Sequence, residues 1–274
     1  MRAELRAELS KQARRPACWL LLAVTVLLSL TFGYLIPYAG YTGTASGAPA
    51  ADRGLAAMLP AEFVGTAVAG LPVFAGALAL IFGVLVAGSE YNWETWKTVF
   101  AQQPSRPRVY AVKVATVAAG SLLAVLALLG ATATASAVIA SLENQPMNWP
   151  SLAGILLGAG GGWLAATMWG SLGMLLAVAL RAVALPIGLG LVWLLAVQNL
   201  LSSIAAPLLD WIADVQRVLP GPNVGALVAG LGAPAGTPGV EAIVGAGQAA
   251  AVVAGYLLVC CAAGGWLLAR RDIT

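Results

Sequence analysis

The 274-residue sequence contains no histidine, and only 9% of its residues are charged. Without histidine, the chain has neither the most common general base nor the most common metal ligand. Soluble domains carry about 25% charged residues. Because 60% of this chain is hydrophobic, we expect an integral membrane protein of all-α fold, without a metal site.

The sequence motifs of common enzymes are also missing. There is no Walker A motif, no HExxH, no CxxC, no GxSxG and no pair of aspartates within one apolar run. The three cysteines, Cys18, Cys260 and Cys261, lie in apolar runs and are interpreted as small core residues. We therefore expect no catalytic residue, no cofactor bound by this chain and no ATP hydrolysis by it.

Long apolar runs predict a single transmembrane domain over residues 1–274. The runs indicate a bundle of six transmembrane helices, at about residues 17–38, 62–88, 113–141, 151–180, 183–207 and 248–268. Between the last two runs, residues 208–247 are broken by proline and glycine, which makes them a poor span. This stretch is expected to be a short extracytoplasmic helical element, interfacial or partly re-entrant.

Residues 1–16 are predicted to form an N-terminal amphipathic interfacial helix. Leu5, Leu9 and Ala13 lie on one side of this helix, and the opposite face is basic and expected to be solvated. A helix of this kind is attracted to anionic lipid. The alternative is an ordinary basic leader that only sets the orientation of the first span.

The basic residues are distributed unevenly around the predicted spans. Six spans place twelve of them on the side of the two termini, and only Arg53 and Arg217 on the other side. Loops next to membrane spans carry their excess of lysine and arginine in the cytoplasm. Both termini, and the polar segment of residues 89–112 between spans 2 and 3, are therefore expected to be cytoplasmic.

That polar segment has the pattern of a short helix with an aromatic face. Asn92 is a candidate N-cap, and Trp93, Trp96 and Phe100 follow at helical spacing. Pro104 and Pro107 are expected to close the helix and to hold an extended turn. The pattern indicates a docking element for a cytoplasmic partner, and the alternative is a set of aromatic anchors at the membrane interface.

Small and polar residues within the spans suggest two further features. Gly154, Gly158 and Gly162 recur every fourth residue, which is typical of a ridge that allows close helix packing. A second group of uncharged polar residues in the fifth span is a candidate lining for a substrate pathway or a source of hydrogen bonds between helices. This group comprises Gln198, Asn199, Ser202 and Ser203.

The segment from Gly88 to Lys113 resembles the first cytoplasmic loop of ABC-2-type exporter permeases. The matching residues are Glu90, Tyr91, Thr95, Ser105, Arg106 and Lys113. The sequence departs from the family pattern at Glu94, where glycine is usual, and this affects the expected shape of the first helical turn. The chain also resembles these permeases in length and topology.

The resemblance implies a six-span permease subunit of the bacterial cytoplasmic membrane. It would dimerise with a second permease subunit and pair with two cytoplasmic ATPase subunits, which bind the ATP and magnesium. A cytoplasmic coupling helix between spans 2 and 3 would contact the ATPase. The residues expected at this contact are Glu90, Tyr91, Trp93, Glu94, Thr95, Trp96, Phe100, Arg106 and Arg108.

The expected function is export of an amphiphilic drug, lipid or peptide, since apolar walls with few charges favour such a substrate over a small ion. The alternative is a membrane scaffold or sensor subunit that holds a cytoplasmic partner without transport. A membrane-embedded enzyme has little support, because no acid–base pair converges within the spans.

Overall fold

Helices provide all the regular secondary structure in residues 2–44, 47, 50–93, 95–102, 105–201 and 210–270, which the computed structural model describes. Five helices in these ranges are long and apolar enough to cross a membrane. The expectation of an all-α, multi-pass membrane protein is confirmed at this level. The five candidate spans are Pro16–Tyr41, Phe74–Asn92, Arg106–Leu142, Leu152–Leu180 and Ala246–Arg270.

The helices are numbered in chain order. They are α1 (Arg2–Ala13), α2 (Pro16–Leu30), α3 (Ile36–Tyr41), α4 (Phe63–Val68), α5 (Phe74–Asn92), α6 (Trp96–Gln102), α7 (Arg106–Leu142), α8 (Leu152–Leu180), α9 (Ala184–Leu191), α10 (Gln198–Leu200), α11 (Asp210–Gln216), α12 (Pro220–Gly230) and α13 (Ala246–Arg270). Two π-helical segments, Thr31–Leu35 and Val192–Val197, join α2 to α3 and α9 to α10.

Helix α8 lies at the centre of the bundle and packs against α5, α7 and α13. Its contact with α5 brings the two backbones together. A β-carbon on Gly173 would lie 2.1 Å from the carbonyl oxygen of Leu80, and one on Gly83 would lie 1.8 Å from that of Gly170. Glycine permits this approach, as small residues do between membrane helices.

The second predicted span, residues 62–88, is two helices, α4 and α5, separated by a turn. Pro72 explains the break because proline lacks a backbone N–H and disfavours helical conformation in the preceding residue. The indole N–H of Trp169 donates to the carbonyl of Leu71 at 3.1 Å, so a carbonyl freed by the break is satisfied. The prediction of one continuous helix here is wrong.

The predicted spans at residues 113–141, 151–180 and 248–268 lie within α7, α8 and α13. Ser151 caps α8 by accepting a hydrogen bond from the amide of Gly154, and Arg181 ends the helix in the left-handed conformation. Helix α7 begins at Arg106, earlier than expected. Pro107 lies in its first turn, where a missing N–H costs no hydrogen bond, so the prediction of an extended turn at Pro107 is wrong.

The fifth predicted span, residues 183–207, corresponds to α9, the second π-helical segment and α10, and its end lies outside the described residues. The described part of the chain therefore shows five candidate spans, and the sixth stays a prediction. In the element predicted at residues 208–247, α12 is buried against α13 and α8. Asn223 fixes the start of α12 by donating hydrogen bonds to the carbonyls of Arg217 and Leu219.

Two of the three glycines in the predicted ridge pack against another helix. A β-carbon on Gly158 would lie 2.2 Å from Val64 of α4, and one on Gly162 would lie 3.0 Å from Val68. Gly154 has only its own N-terminal turn nearby. The ridge therefore packs against α4, whereas the close backbone contact of α8 with α5 lies about two to four turns further along, at Gly170 and Gly173.

Replacing Gly173 with alanine tests the α5–α8 contact. The new methyl group would meet the carbonyl of Leu80, and such overpacking costs about 1–3 kcal/mol. Gly160 on the same helix is the control, because it is exposed and has open space around its α-carbon. In thermal unfolding of the purified protein in detergent, Gly173→Ala should melt at a lower temperature and Gly160→Ala should not. Equal melting temperatures for the two variants would contradict this packing.

Candidate functional site

Four helices meet around the carboxylate of Glu90 at one end of the bundle. They are α1, the last turn of α5, the short helix α6 and the first turns of α7. Glu90 itself is 1% exposed. A buried charge is tolerated only when it is paired and hydrogen-bonded, so the partners of Glu90 determine how these helices assemble.

The partners of Glu90 come from three different helices or turns. Lys113 on α7 donates to it at 2.9 Å, Lys11 on α1 donates to the same carboxylate oxygen, and Thr95 before α6 donates to the other oxygen. Lys113 is also almost fully buried, and it donates to the carbonyl of Val86 at 2.9 Å. Each donor thus ties a separate part of the chain to the end of α5.

A second carboxylate completes the charge balance of the site. Glu8 on α1 lies 3.3 Å from Lys113 and 3.9 Å from Lys11. Together with Glu90, these residues form a network of two lysines and two carboxylates in which the charges cancel. We call Glu8, Lys11, Glu90 and Lys113 the Glu90 network.

Aromatic side chains cover the network. Trp96 is 2% exposed and stacks on Phe100 at a centroid distance of 5.2 Å, with Tyr91 on its other side at 5.4 Å. The ammonium of Lys113 lies 5.4 Å from the centroid of the Trp96 ring, which is within the range of a cation–π contact. This cover keeps water from Glu90 and Lys113, which strengthens the ion pair between them, while Lys11 at the edge is partly exposed.

The aromatic face predicted from Asn92 onwards differs in the structure. Asn92 is the last residue of α5, not a cap, and α6 begins at Trp96. Trp93 lies in the turn between the two helices and is 57% exposed, with the guanidinium of Arg15 4.6 Å from its ring centroid. Trp96 packs against Lys113 and is buried within its own chain. The prediction of three aromatic residues on one face of one helix is therefore wrong. Glu94, where the sequence departs from the ABC-2 pattern, lies outside the described residues.

The charged face of α1 is attached to the bundle, contrary to the expectation that it is solvated. Glu4 pairs with Arg108 of α7 at 2.8 Å, and Glu8 and Lys11 enter the Glu90 network. On the side of α1 that the sequence predicts to be apolar, Leu9 is exposed. The sequence contained a signal for this arrangement: Glu4, Glu8, Lys11 and Arg15 follow at spacings of four, three and four residues, which places them on one helix face.

Two arginines extend the site to neighbouring elements. Arg15 donates to the hydroxyl of Ser89 at 3.0 Å and to the carbonyl of Leu85 at 3.3 Å, both on α5. Arg106 donates to the carbonyl of Ala269 at the end of α13 at 3.1 Å and lies over the ring of Phe100. The last helix is thereby joined to α6 and α7.

Gln198, the candidate substrate-pathway residue whose side chain the structure describes, lies away from the Glu90 network. Gln198 is buried beside Gly221 of α12, toward the opposite end of the bundle, and its side-chain oxygen has no hydrogen-bond partner. Asn199 follows it in α10, while Ser202 and Ser203 lie outside the described residues. Their role in a pathway stays a prediction.

The two ends of the bundle differ in charge. The end with the Glu90 network carries α1, α6 and the basic start of α7, together with the last turn of α13. The opposite end carries Asp52, Glu62, Glu143 and Glu241, with Arg53 as a nearby cation. Within the described residues, no three carboxylate or thiol groups lie close enough to hold a metal ion. The side chains around Glu90 join the helices at this end through ion pairs and hydrogen bonds.

Comparison of the sequence with protein-family models and with curated proteins finds no match.

A double-mutant cycle on Glu90→Gln and Lys113→Gln measures the strength of the network. Each single change leaves the buried network with one uncompensated charge, which costs about 3–5 kcal/mol, whereas the double change leaves Glu8 paired with Lys11 and the charges balanced. In denaturant unfolding of the protein in detergent, the double variant should therefore lose much less stability than the sum of the single variants.

The matched control is the exposed pair Asp214–Arg217, with side chains 72% and 59% exposed. Asp214→Asn and Arg217→Gln should each change stability by less than about 1 kcal/mol and show little coupling. Additive losses at Glu90 and Lys113 would show that the network is not a coupled unit.

Proposed function

We propose that this chain is the membrane-spanning permease subunit of an ATP-binding-cassette exporter. It moves an amphiphilic drug, lipid or peptide with energy from separate ATPase subunits. The observation that carries this proposal is the Glu90 network. It fastens α1, α5, α6 and α7 together at the segment that resembles the ABC-2 coupling loop.

The attachment of α6 supports a role as a lever. Trp96 packs on the buried Lys113, and Thr95 is hydrogen-bonded to Glu90, so a displacement of α6 acts directly on the ends of α5 and α7. Interfaces packed in this way move as rigid bodies between discrete arrangements. Closure of ATPase subunits against α6 would tilt these two spans and change access to a cavity between two copies of the permease.

The surface that would meet an ATPase subunit is smaller than the sequence suggested. Trp93 and Lys97 are exposed around α6, and Arg108 is half exposed beside Glu4. An exposed tryptophan among basic side chains fits a groove lined by carboxylates, and tryptophan and arginine are the residues most enriched at interface hot spots. In this proposal the basic end of the bundle faces the cytoplasm, consistent with the positive-inside rule.

Binding of an ATPase subunit provides the first test. The tagged full-length chain, purified from the cells that make it, should carry an ATP-binding-cassette ATPase that mass spectrometry identifies. Trp93→Ala should weaken this association about 30-fold, which corresponds to about 2 kcal/mol. Trp211, exposed on α11 at the other end, is the control, and Trp211→Ala should bind as the wild type does. Absence of any ATPase, or equal binding by the two variants, would contradict the proposal.

Transport separates the exporter from the alternative function of a scaffold or sensor. The isolated complex, reconstituted in vesicles with ATP, should move a fluorescent amphiphilic dye, and Trp93→Ala should lower transport more than ATP hydrolysis. A complex that hydrolyses ATP and moves no dye or native lipid would favour the scaffold.

A further inference from the structure

An apolar slot of about 300 Å³ lies between α2, α5 and α7, next to the Glu90 network. Helix α1 closes one end of the slot through Leu9 and Gln12, and Leu71 and Leu128 lie at the other end. From Thr116 to Leu128 the slot follows α7 for about 18 Å, at about 1.5 Å of rise per residue. Its long axis is therefore parallel to the spans.

The wall of the slot is mostly apolar. Among its polar residues, Ser121 has a buried hydroxyl without a hydrogen-bond partner, whereas two threonines have theirs satisfied. Thr25 and Thr116 both line it, and each hydroxyl donates to the carbonyl four residues earlier in its own helix. Trp19 and Leu123, on α2 and α7, also line the slot and are each 53% exposed. The slot therefore opens sideways between these two helices, toward the surface that faces lipid.

The dimensions of the slot limit its occupant. A helix of about 10 Å diameter would occupy roughly 1,400 Å³ over 18 Å, which exceeds the about 1140 Å³ of free space in the slot and its open side together. A second copy of the chain is therefore too wide to enter as a helix. Dry apolar cavities bind apolar ligands, and acyl chains are the apolar molecules that surround a membrane span on every side.

The closed end of the slot is basic. Gln12, which lines the slot, accepts a hydrogen bond from Arg15 at 3.3 Å, and the second terminal nitrogen of Arg15 is buried without a hydrogen-bond partner. Lys11, one turn earlier on α1, is paired with Glu90 and Glu8, so Arg15 supplies the positive charge at this end of the slot. A negative headgroup at this end would find charge-assisted donors.

We propose that the slot binds one acyl chain of an anionic membrane phospholipid, with the headgroup at Arg15. The bound lipid fills the space between α2, α5 and α7, against the end of α1, and so supports the helices that carry the Glu90 network. This site is independent of the proposed transport function, because its test uses the full-length chain alone.

Cys18 provides the readout, because its side chain lines the slot. In a Cys260→Ser/Cys261→Ser background, delipidated protein in detergent is treated with N-ethylmaleimide in the presence of phosphatidylglycerol or phosphatidylcholine. Phosphatidylglycerol should slow the alkylation of Cys18 about tenfold at ten times its dissociation constant. Phosphatidylcholine should protect less. Equal protection by both lipids would overturn the headgroup assignment, and no protection by either would overturn the site.

Two pairs of variants locate the lipid. Ala124→Leu places extra volume in the slot and should abolish the protection of Cys18, whereas Ala251→Leu, at an exposed position on α13, should not. Arg15→Gln should remove the preference for phosphatidylglycerol, and Arg14→Gln, at the exposed neighbour, should retain it. Protection that is unchanged in Ala124→Leu, or a preference that is unchanged in Arg15→Gln, would contradict the proposal.

Discussion

The assembly of one end of this protein depends on the neutralisation of Glu90. Its carboxylate is buried at the end of α5, where an unpaired charge would cost several kcal/mol, and its own helix supplies no cation. The compensating lysines come from α1 and α7, so these helices must lie against α5. Thr95 and Trp96 then hold α6 over the same carboxylate and its lysine partner. One ionised group thus determines the relative position of four helices.

The close backbone packing of α5 against α8 determines how a movement near Glu90 would spread through the bundle. Helix α5, which carries Glu90, is in direct backbone contact with α8 through Gly83 and Gly173. Its other end is marked by the turn at Pro72, where the chain leaves α4. A displacement at α6 would therefore reach the closely packed pair α5 and α8 in the centre of the bundle, as the proposed coupling role requires. The lipid proposed between α2, α5 and α7 would occupy the remaining space beside this pair.

Long apolar runs made the membrane class and most spans predictable, because lipid requires continuous apolar helices whose backbone groups are satisfied internally. The span predicted at residues 151–180 agrees closely with α8, which Ser151 caps and Arg181 ends in the left-handed conformation. The features that were missed depend on partners distant in sequence. Lys11 and Glu90 are separated by 79 positions, so the local pattern of α1 alone predicts a solvated charged face. Trp96 has the spacing of a docking residue, yet Lys113 and Phe100 bury it within its own chain.

Hydrogen–deuterium exchange of the Glu90→Gln variant tests most directly whether this carboxylate holds the four helices together. If it does, the amides of α1 and α6 should exchange much faster than in the wild type, because both helices lose an ionised anchor. The amides of α8, which is held by apolar and glycine contacts, should keep their protection. Unchanged exchange in α1 and α6 would show that these helices are held by other contacts and would contradict the account.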